Sequence, residues 1–207
     1  MQQNQAESAV ANKQITAMIR MLVADAKPDA TSLELLKLPQ AAELGRELGP
    51  LLKTHGYKGF VILEESGRIV ASNHNELVGI VLRAEEMTFI RKKVFAGKPM
   101  LLPPIKSKAM LADRHEVSRV GVPTMFAAAP VYSESGEIVA ALGFRIQPET
   151  EFTKILEIAQ IGTTGETYAF NRDGLMLSNS RFEDDLRRIG LLRKGEDATL
   201  TISLLDP

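Results

Sequence analysis

Residues 59–72 read Gly59-Phe60-Val61-Ile62-Leu63-Glu64-Glu65-Ser66-Gly67-Arg68-Ile69-Val70-Ala71-Ser72. A short apolar run, a polar turn carrying glycine and a second apolar run spell an antiparallel hairpin. The phrase returns at Tyr168-Ala169-Phe170-Asn171-Arg172-Asp173-Gly174-Leu175-Met176-Leu177-Ser178, with Gly174 standing over Gly67 at an offset of 107 positions. Each copy follows a helical segment, so the chain reads as two related units. The first runs in full from Gly59 to Ile146. The second, from Gly165 onward, is either small or the start of a longer stretch.

Working outward, residues 5–26 place Val10, Ile15, Met18, Ile19, Leu22 and Val23 at helical spacing, without Pro or Gly. One long helix with a single apolar stripe is expected. Lys27-Pro28-Asp29 interrupts it, and Thr31-Ser32-Leu33-Glu34 is a capping box opening a second helix. Pro39 ends that turn or begins another, and residues 40–55 continue as helix to the stop at His55-Gly56-Tyr57. Residues 84–96 are helical, with Glu85 and Glu86 early, Arg91, Lys92 and Lys93 late, and Gly97 as the stop. Val122–Tyr132 and Glu137–Ile146 are strands joined by Ser133-Glu134-Ser135-Gly136. A third strand near Met100-Leu101-Leu102 should be cut short by Pro103-Pro104. A helix is expected from Pro148, and another after Ser180, with Ser180 as N-cap, Glu183 as its capping partner and Glu183–Arg187 and Asp184–Arg188 as surface pairs. The fold class is α+β.

Composition removes several function classes. The 207 residues are 44% hydrophobic and 25% charged, with 25 basic against 26 acidic side chains, so collagenous and wholly disordered readings fail. Near-neutral charge and the absence of Trp argue against a nucleic-acid surface. With no cysteine, thiolate nucleophiles, disulfides and cysteine-based metal sites are excluded. No stretch reaches the length of apolar sequence that a membrane-spanning helix needs, and Met1-Gln2-Gln3-Asn4-Gln5 does not open a secretory leader. His55, His74 and His115 sit outside any metal-ligand spacing, and no nucleophile elbow, phosphate loop or dinucleotide fingerprint occurs. No catalytic residue, metal ligand or cofactor is assigned, and the chain is not read as an enzyme.

Several phrases in order then resemble one family. They are Gly59-Phe60-Val61-Ile62-Leu63 with Gly67-Arg68-Ile69-Val70, Gly97-Lys98-Pro99 leading to Pro103-Pro104, Ala128-Ala129-Pro130-Val131-Tyr132 with Gly136-Glu137-Ile138-Val139, and Gly165-Glu166-Thr167-Tyr168-Ala169-Phe170. Over residues 5–180 the chain resembles the double Cache domain, the extracytoplasmic sensor of many bacterial kinases, cyclases and chemoreceptors. The resemblance implies a helical stalk (1–56), a membrane-distal module with a PAS-like five-stranded antiparallel sheet (57–147), a linking helix (148–163) and part of a membrane-proximal module (164–207). It also implies an extracytoplasmic location within a longer transmembrane protein, the spans lying outside this sequence, and a small-molecule ligand in the distal module.

Two features bear on the ligand. Met125-Ala127-Ala129 and Val139-Ala141-Gly143 offer small side chains to one face of neighbouring strands, where a helix or a ligand must come close, with Thr124, Phe126, Leu142 and Phe144 on the other face. The polar connection 106–116 is longer than a hairpin needs, as binding loops often are. Lys106, Ser107 and Arg114 there, with Arg91 and Arg83 from the preceding helix, are candidates for holding a carboxylate. The ligand-binding candidates are thus Lys106, Ser107, Arg91, Arg114, Thr124 and Phe126. The amino-acid-binding branch of the family uses a pattern that includes Trp, which this chain lacks, so a small carboxylic acid is the alternative ligand. Two other readings stay open: a dimerising spacer built on the 5–26 helix, giving a homodimer, and a cytosolic PAS-like module carrying haem or flavin.

Overall fold

The computed structural model describes residues 2–113, 116–148, 156 and 165–204. The N-terminal region is two helices rather than one, α1 (Gln2–Ala11) and α2 (Lys13–Asp25). Asn12 makes the break: its side-chain oxygen accepts from the amides of Gln14 and Ile15 at 2.9 and 3.3 Å, as an N-cap does. Thr16 consolidates it by donating to the Val10 carbonyl at 2.7 Å. Helical spacing alone carries no sign of this, because Asn is tolerated inside a helix as well as at its start.

Helix α3 (Ser32–Leu36) opens with the expected box, Thr31 and Glu34 bonding each other's backbone amides. Pro39 begins α4 (Pro39–His55), which Gly56 ends in the left-handed conformation at φ 71°. Ile15, Ile19 and Leu22 of α2 and Leu44, Leu48 and Leu52 of α4 are buried, and the two helices pack together. The apolar stripe of residues 5–26 is therefore largely covered within the chain. Gln40 adds a polar link, donating to Asp25 at 2.7 Å.

Strands β1 (Gly59–Leu63) and β2 (Ile69–Ser72) form the first hairpin; α5 (Ala84–Lys93) precedes β3 (Met100–Lys106), and the short β4 (Leu111–Ala112) and β5 (Ser118–Arg119) precede β6 (Pro123–Tyr132) and β7 (Ile138–Ile146). The sheet order is β2-β1-β7-β6-β3, the PAS-like arrangement in which the last strand enters the middle beside the first. Pro103 and Pro104 do not cut β3 short: it lies at the sheet edge, where a residue without an N–H costs no ladder bond.

The expected grouping of small side chains is also corrected. Val61 is paired with Gly143 and Leu63 with Ala141. A Cβ on Gly143 would lie 3.1 Å from Val61 and 3.5 Å from the Phe126 ring, so Phe126 shares the Gly143 face. Alternation then sends Ala127 and Ala129 to the opposite face. The turn bond from the Ser133 amide to the Glu137 carbonyl, counted outward, would set Ala127 against Gly143. A one-residue offset within the strands reverses the faces, as a bulge does.

The chain divides into two compact units, Met1–Leu102 with Phe126–Arg145, and Pro103–Met125 with Ile146–Pro207. In the first, Phe60, Ile62, Leu142 and Phe144 are almost completely buried, and Tyr57 stacks on Phe144 at 4.9 Å. In the second, Met176, Leu192 and Ala198 form a small core with Leu186, Ile202 and Leu204. The residue 171–175 turn repeats the first hairpin bond for bond. Glu64 N–H donates to Arg68 and Gly67 N–H to Glu64; 107 positions on, Asn171 N–H donates to Leu175 and Gly174 N–H to Asn171, all within 2.9–3.1 Å. The linking helix expected at 148–163 falls largely outside the described residues. Helix α6 (Glu183–Arg188) starts after Phe182, not at Ser180. Ser180 is drawn away by Glu166, to which it donates at 3.0 Å. Glu183 is buried, accepting from the Ala198 amide at 2.8 Å as well as from Arg187. Asp184 pairs with Arg187 and Asp185 with Arg188, in place of the Asp184–Arg188 pair.

Candidate functional site

In the first unit, the face bearing Gly143 is the less covered one. Val61 and Phe126 flank Gly143 at mid-strand and are both half-buried. On the opposite face Phe60, Ile62, Ala127 and Leu142 are at most 1% exposed. Gly143 itself is buried, with Val61 and Phe126 closed over it, so the apolar surface that this face leaves partly exposed belongs to those two side chains, and a small apolar or amphipathic molecule lying on them would gain burial.

Arg91 does not present a free guanidinium to that face. It donates twice to the Glu65 carbonyl, at 2.9 and 3.3 Å, and so grips the β1–β2 turn. Arg83 is occupied at the start of α5, where its amide and side chain both meet Glu86. The α2–α4 side holds an open groove of about 340 Å³ lined by Gln14, Met18, Glu43, Arg46 and Glu47, a mostly charged surface.

In the second unit, the polar connection is closed at its base by Ser107. The buried hydroxyl donates to the Ala109 carbonyl and accepts from the Val122 amide, each at 3.0 Å. The Ser107 amide donates to the Val122 carbonyl, and Gly121 donates back to Ser107. Lys106 and Lys108 flank the clamp and are exposed. Thr124 is 2% exposed. Arg114 and His115 lie outside the described residues.

A cation that sequence reading did not single out, Arg119, dominates this connection. Its Nε donates to Asp113 at 3.1 Å and its fork reaches Asp197. Burial alone would lower the Arg119 guanidinium, but hydrogen bonding and charge from Asp113 and Asp197 outweigh it and hold it above its ordinary value. Asp113 also accepts from the Val117 amide, so the carboxylate shapes the β4–β5 turn. No local signal in the sequence ties Asp197 to Arg119, since 78 positions separate them. Among the described residues, no group of three or more His, Asp or Glu side chains is placed to hold a metal, and no helix is long and apolar enough to cross a membrane.

No family model matches the chain, and no curated protein matches it. Among solved structures it is similar to the ligand-binding domain of the Campylobacter jejuni chemoreceptor Tlp3, determined in complex with 4-methylisoleucine. Identity there is 13%, coverage 93% of this chain and 72% of that one, and the TM-score 0.47. It is also similar to the sensor domain of the Vibrio cholerae histidine kinase DctB (17% identity, 70% and 53% coverage, TM-score 0.37). A third likeness is to the periplasmic domain of Vibrio cholerae LuxQ (15% identity, 86% and 76% coverage, TM-score 0.37). The chain thus spans about half the length of the DctB domain.

Proposed function

We propose that the chain is the ligand-sensing part of a transmembrane receptor, working on the extracytoplasmic side of the membrane, with a small molecule bound against the first module. The observation that carries this reading is the pair of half-buried apolar side chains Val61 and Phe126, which meet over the buried Gly143 in a sheet of PAS-like order. Of the ligand contacts expected from the sequence, Phe126 lies on this face, whereas Arg91 is engaged with Glu65 and the Ser107 hydroxyl with Ala109 and Val122, and the ligand class is a small carboxylic acid. Occupancy acts by favouring one arrangement of the module over another; a tenfold preference corresponds to about 1.4 kcal/mol.

Thermal-shift screening of the chain against a panel of small carboxylic acids and amino acids tests this. A ligand at a hundred times its Kd stabilises by about 2.7 kcal/mol, which is easily read as a rise in Tm. The rise should disappear in Phe126→Leu or Val61→Ala and persist in Lys194→Ala. A panel that leaves Tm unchanged, with dimerisation in ultracentrifugation, would support the spacer reading, and a visible absorption spectrum the cofactor-bearing one.

A further inference from the structure

The β1–β2 turn has more partners than reversing a chain requires. Arg68, only 8% exposed, spends its guanidinium on two elements at once. Its Nε and one terminal nitrogen meet both carboxylate oxygens of Glu64 at 3.0 and 3.1 Å. The remaining donors reach the carbonyls of Lys27, Pro28 and Ala26 at 2.8, 2.9 and 3.3 Å. Ala26 caps α2 and Lys27 and Pro28 follow it in the chain, so the guanidinium sits just past the carboxyl end of the helix, where a cation is favoured. The Glu64 grip fixes the plane of the fork, so the side chain cannot follow the carbonyls independently of the turn.

The same turn is held from its other side by α5 and the segment before it. Arg91 donates twice to the Glu65 carbonyl. The Leu82 amide donates to Gly67 at 2.8 Å, and the Arg68 backbone bridges to Val81. Gly67 has φ 94°, and a Cβ there would lie 3.0 Å from Met87 of α5, so helix and turn are in direct contact. One hop further, Gly79 donates to Ile69 and is so close to Ser32 that a Cβ would overlap the Ser32 hydroxyl.

We propose that the Glu64–Arg68 turn is a mechanical joint through which a displacement of α5 is passed to the carboxyl end of α2. A pull on Glu65 or Gly67 moves Arg68, and Arg68 either carries the Ala26–Pro28 carbonyls with it or lets go of them. The contacts are directional hydrogen bonds on a buried fork, so the joint has an engaged and a disengaged state rather than a continuous range. It does not depend on the identity of any ligand or on the ligand-binding reading above.

Hydrogen exchange on the full chain, followed by mass spectrometry, tests it with Arg91→Ala. Arg91 is an exposed side chain that touches the turn and not α2, so the variant should fold. Loss of its two bonds should speed exchange of the Ala26 and Ala30 amides by about fivefold, in line with the loss of one or two exposed hydrogen bonds. Arg68→Lys, which keeps the charge and loses the fork, should speed the same amides at least as much, and Arg46→Ala should leave them unchanged. The joint is refuted if Arg91→Ala speeds only turn and α5 amides, if it changes nothing, or if it speeds the Ile62 and Leu142 core amides equally.

Discussion

The guanidinium of Arg68 reaches the carbonyl oxygen of Ala26 at 3.3 Å, across 42 positions of sequence. It arrives there already paired with Glu64, whose side chain is 16% exposed against 9% for Arg68. Truncating one member of such a pair leaves the other poorly solvated and uncompensated, which typically costs about 3–5 kcal/mol. Arg68→Ala should therefore lower stability to urea by that order, with the Ala26, Lys27 and Pro28 carbonyls adding to the loss. Glu64→Gln, which keeps an acceptor for one of the two bonds, should lose less. Equal losses in the two variants would mean that the charge of Glu64, not its geometry, holds the fork.

Three glycines in turns separate backbone strain from crowding. Gly136 sits at φ 88° with nothing within 4 Å of an added Cβ, so Gly136→Ala should cost only the left-handed conformation, about 1–2 kcal/mol. Gly67→Ala adds a 3.0 Å approach to the buried Met87 side chain and a 3.4 Å one to the Leu82 carbonyl oxygen, which the surroundings can relieve only by a small shift. Gly174→Ala at φ 76° would drive its Cβ into the Leu204 carbonyl oxygen, a backbone atom that cannot. The order of destabilisation should be Gly174, then Gly67, then Gly136, measured by thermal unfolding. The two repeat glycines thus share a turn conformation and differ in what faces them.

What the sequence revealed follows from range. The Thr31–Glu34 box, the Gly56 stop, the hairpin at 59–72 and its echo at Gly174 are set by residues within a few positions of each other, and all were readable. The break at Asn12 was not, because Asn, though it favours caps, is also found inside helices at modest cost, and only the bonds from the Gln14 and Ile15 amides decide. The face occupied by Phe126 was misread because one offset residue between the 133–136 turn and the strand centre inverts every side chain beyond it. Arg68 and Arg119 were unreadable for another reason. Each has one partner close by, Glu64 and Asp113, but the ones that tie them to other segments lie 40 and 78 positions away, where spacing carries no information. Phe126 and Gly143 could each be named from strand alternation, but on opposite faces, and Val61 could not be named at all.

Ser107 and Lys106 adjoin in sequence and differ in what they hold. The Ser107 hydroxyl is buried and bonded at both ends of the connection, so Ser107→Ala leaves the Val122 amide without that acceptor and should cost about 1–3 kcal/mol. Lys106 is exposed, and Lys106→Ala should change stability by less than about 0.5 kcal/mol. A change of ligand affinity in Lys106→Ala at unaltered Tm would report a contact. The same change in Ser107→Ala has to be compared with Ser107→Thr, which retains the hydroxyl and the clamp.

Glu34 supplies a pH dependence whose sign is fixed. Hydrogen bonds from the Thr31 side chain and backbone, aided by Lys27 and Lys37, hold the Glu34 carboxyl below its ordinary value. A carboxylate with a depressed folded-state pKa contributes stability that is present in full above the unfolded-state pKa and is lost as pH falls through the folded-state one. The stability difference between the wild type and Glu34→Gln should accordingly be constant near neutrality and shrink once pH drops below the ordinary carboxylate range. Thr31→Ala removes the side-chain hydrogen bond that does most to hold the Glu34 carboxyl down, so its own difference from wild type should shrink over the same window. Because Glu34 is solvent-exposed, added salt should affect only the part owed to the lysines and spare the hydrogen-bonded part. A difference that grows on acidification, or that vanishes in salt at pH 7, would mean that the Thr31–Glu34 bonds do not hold the start of α3.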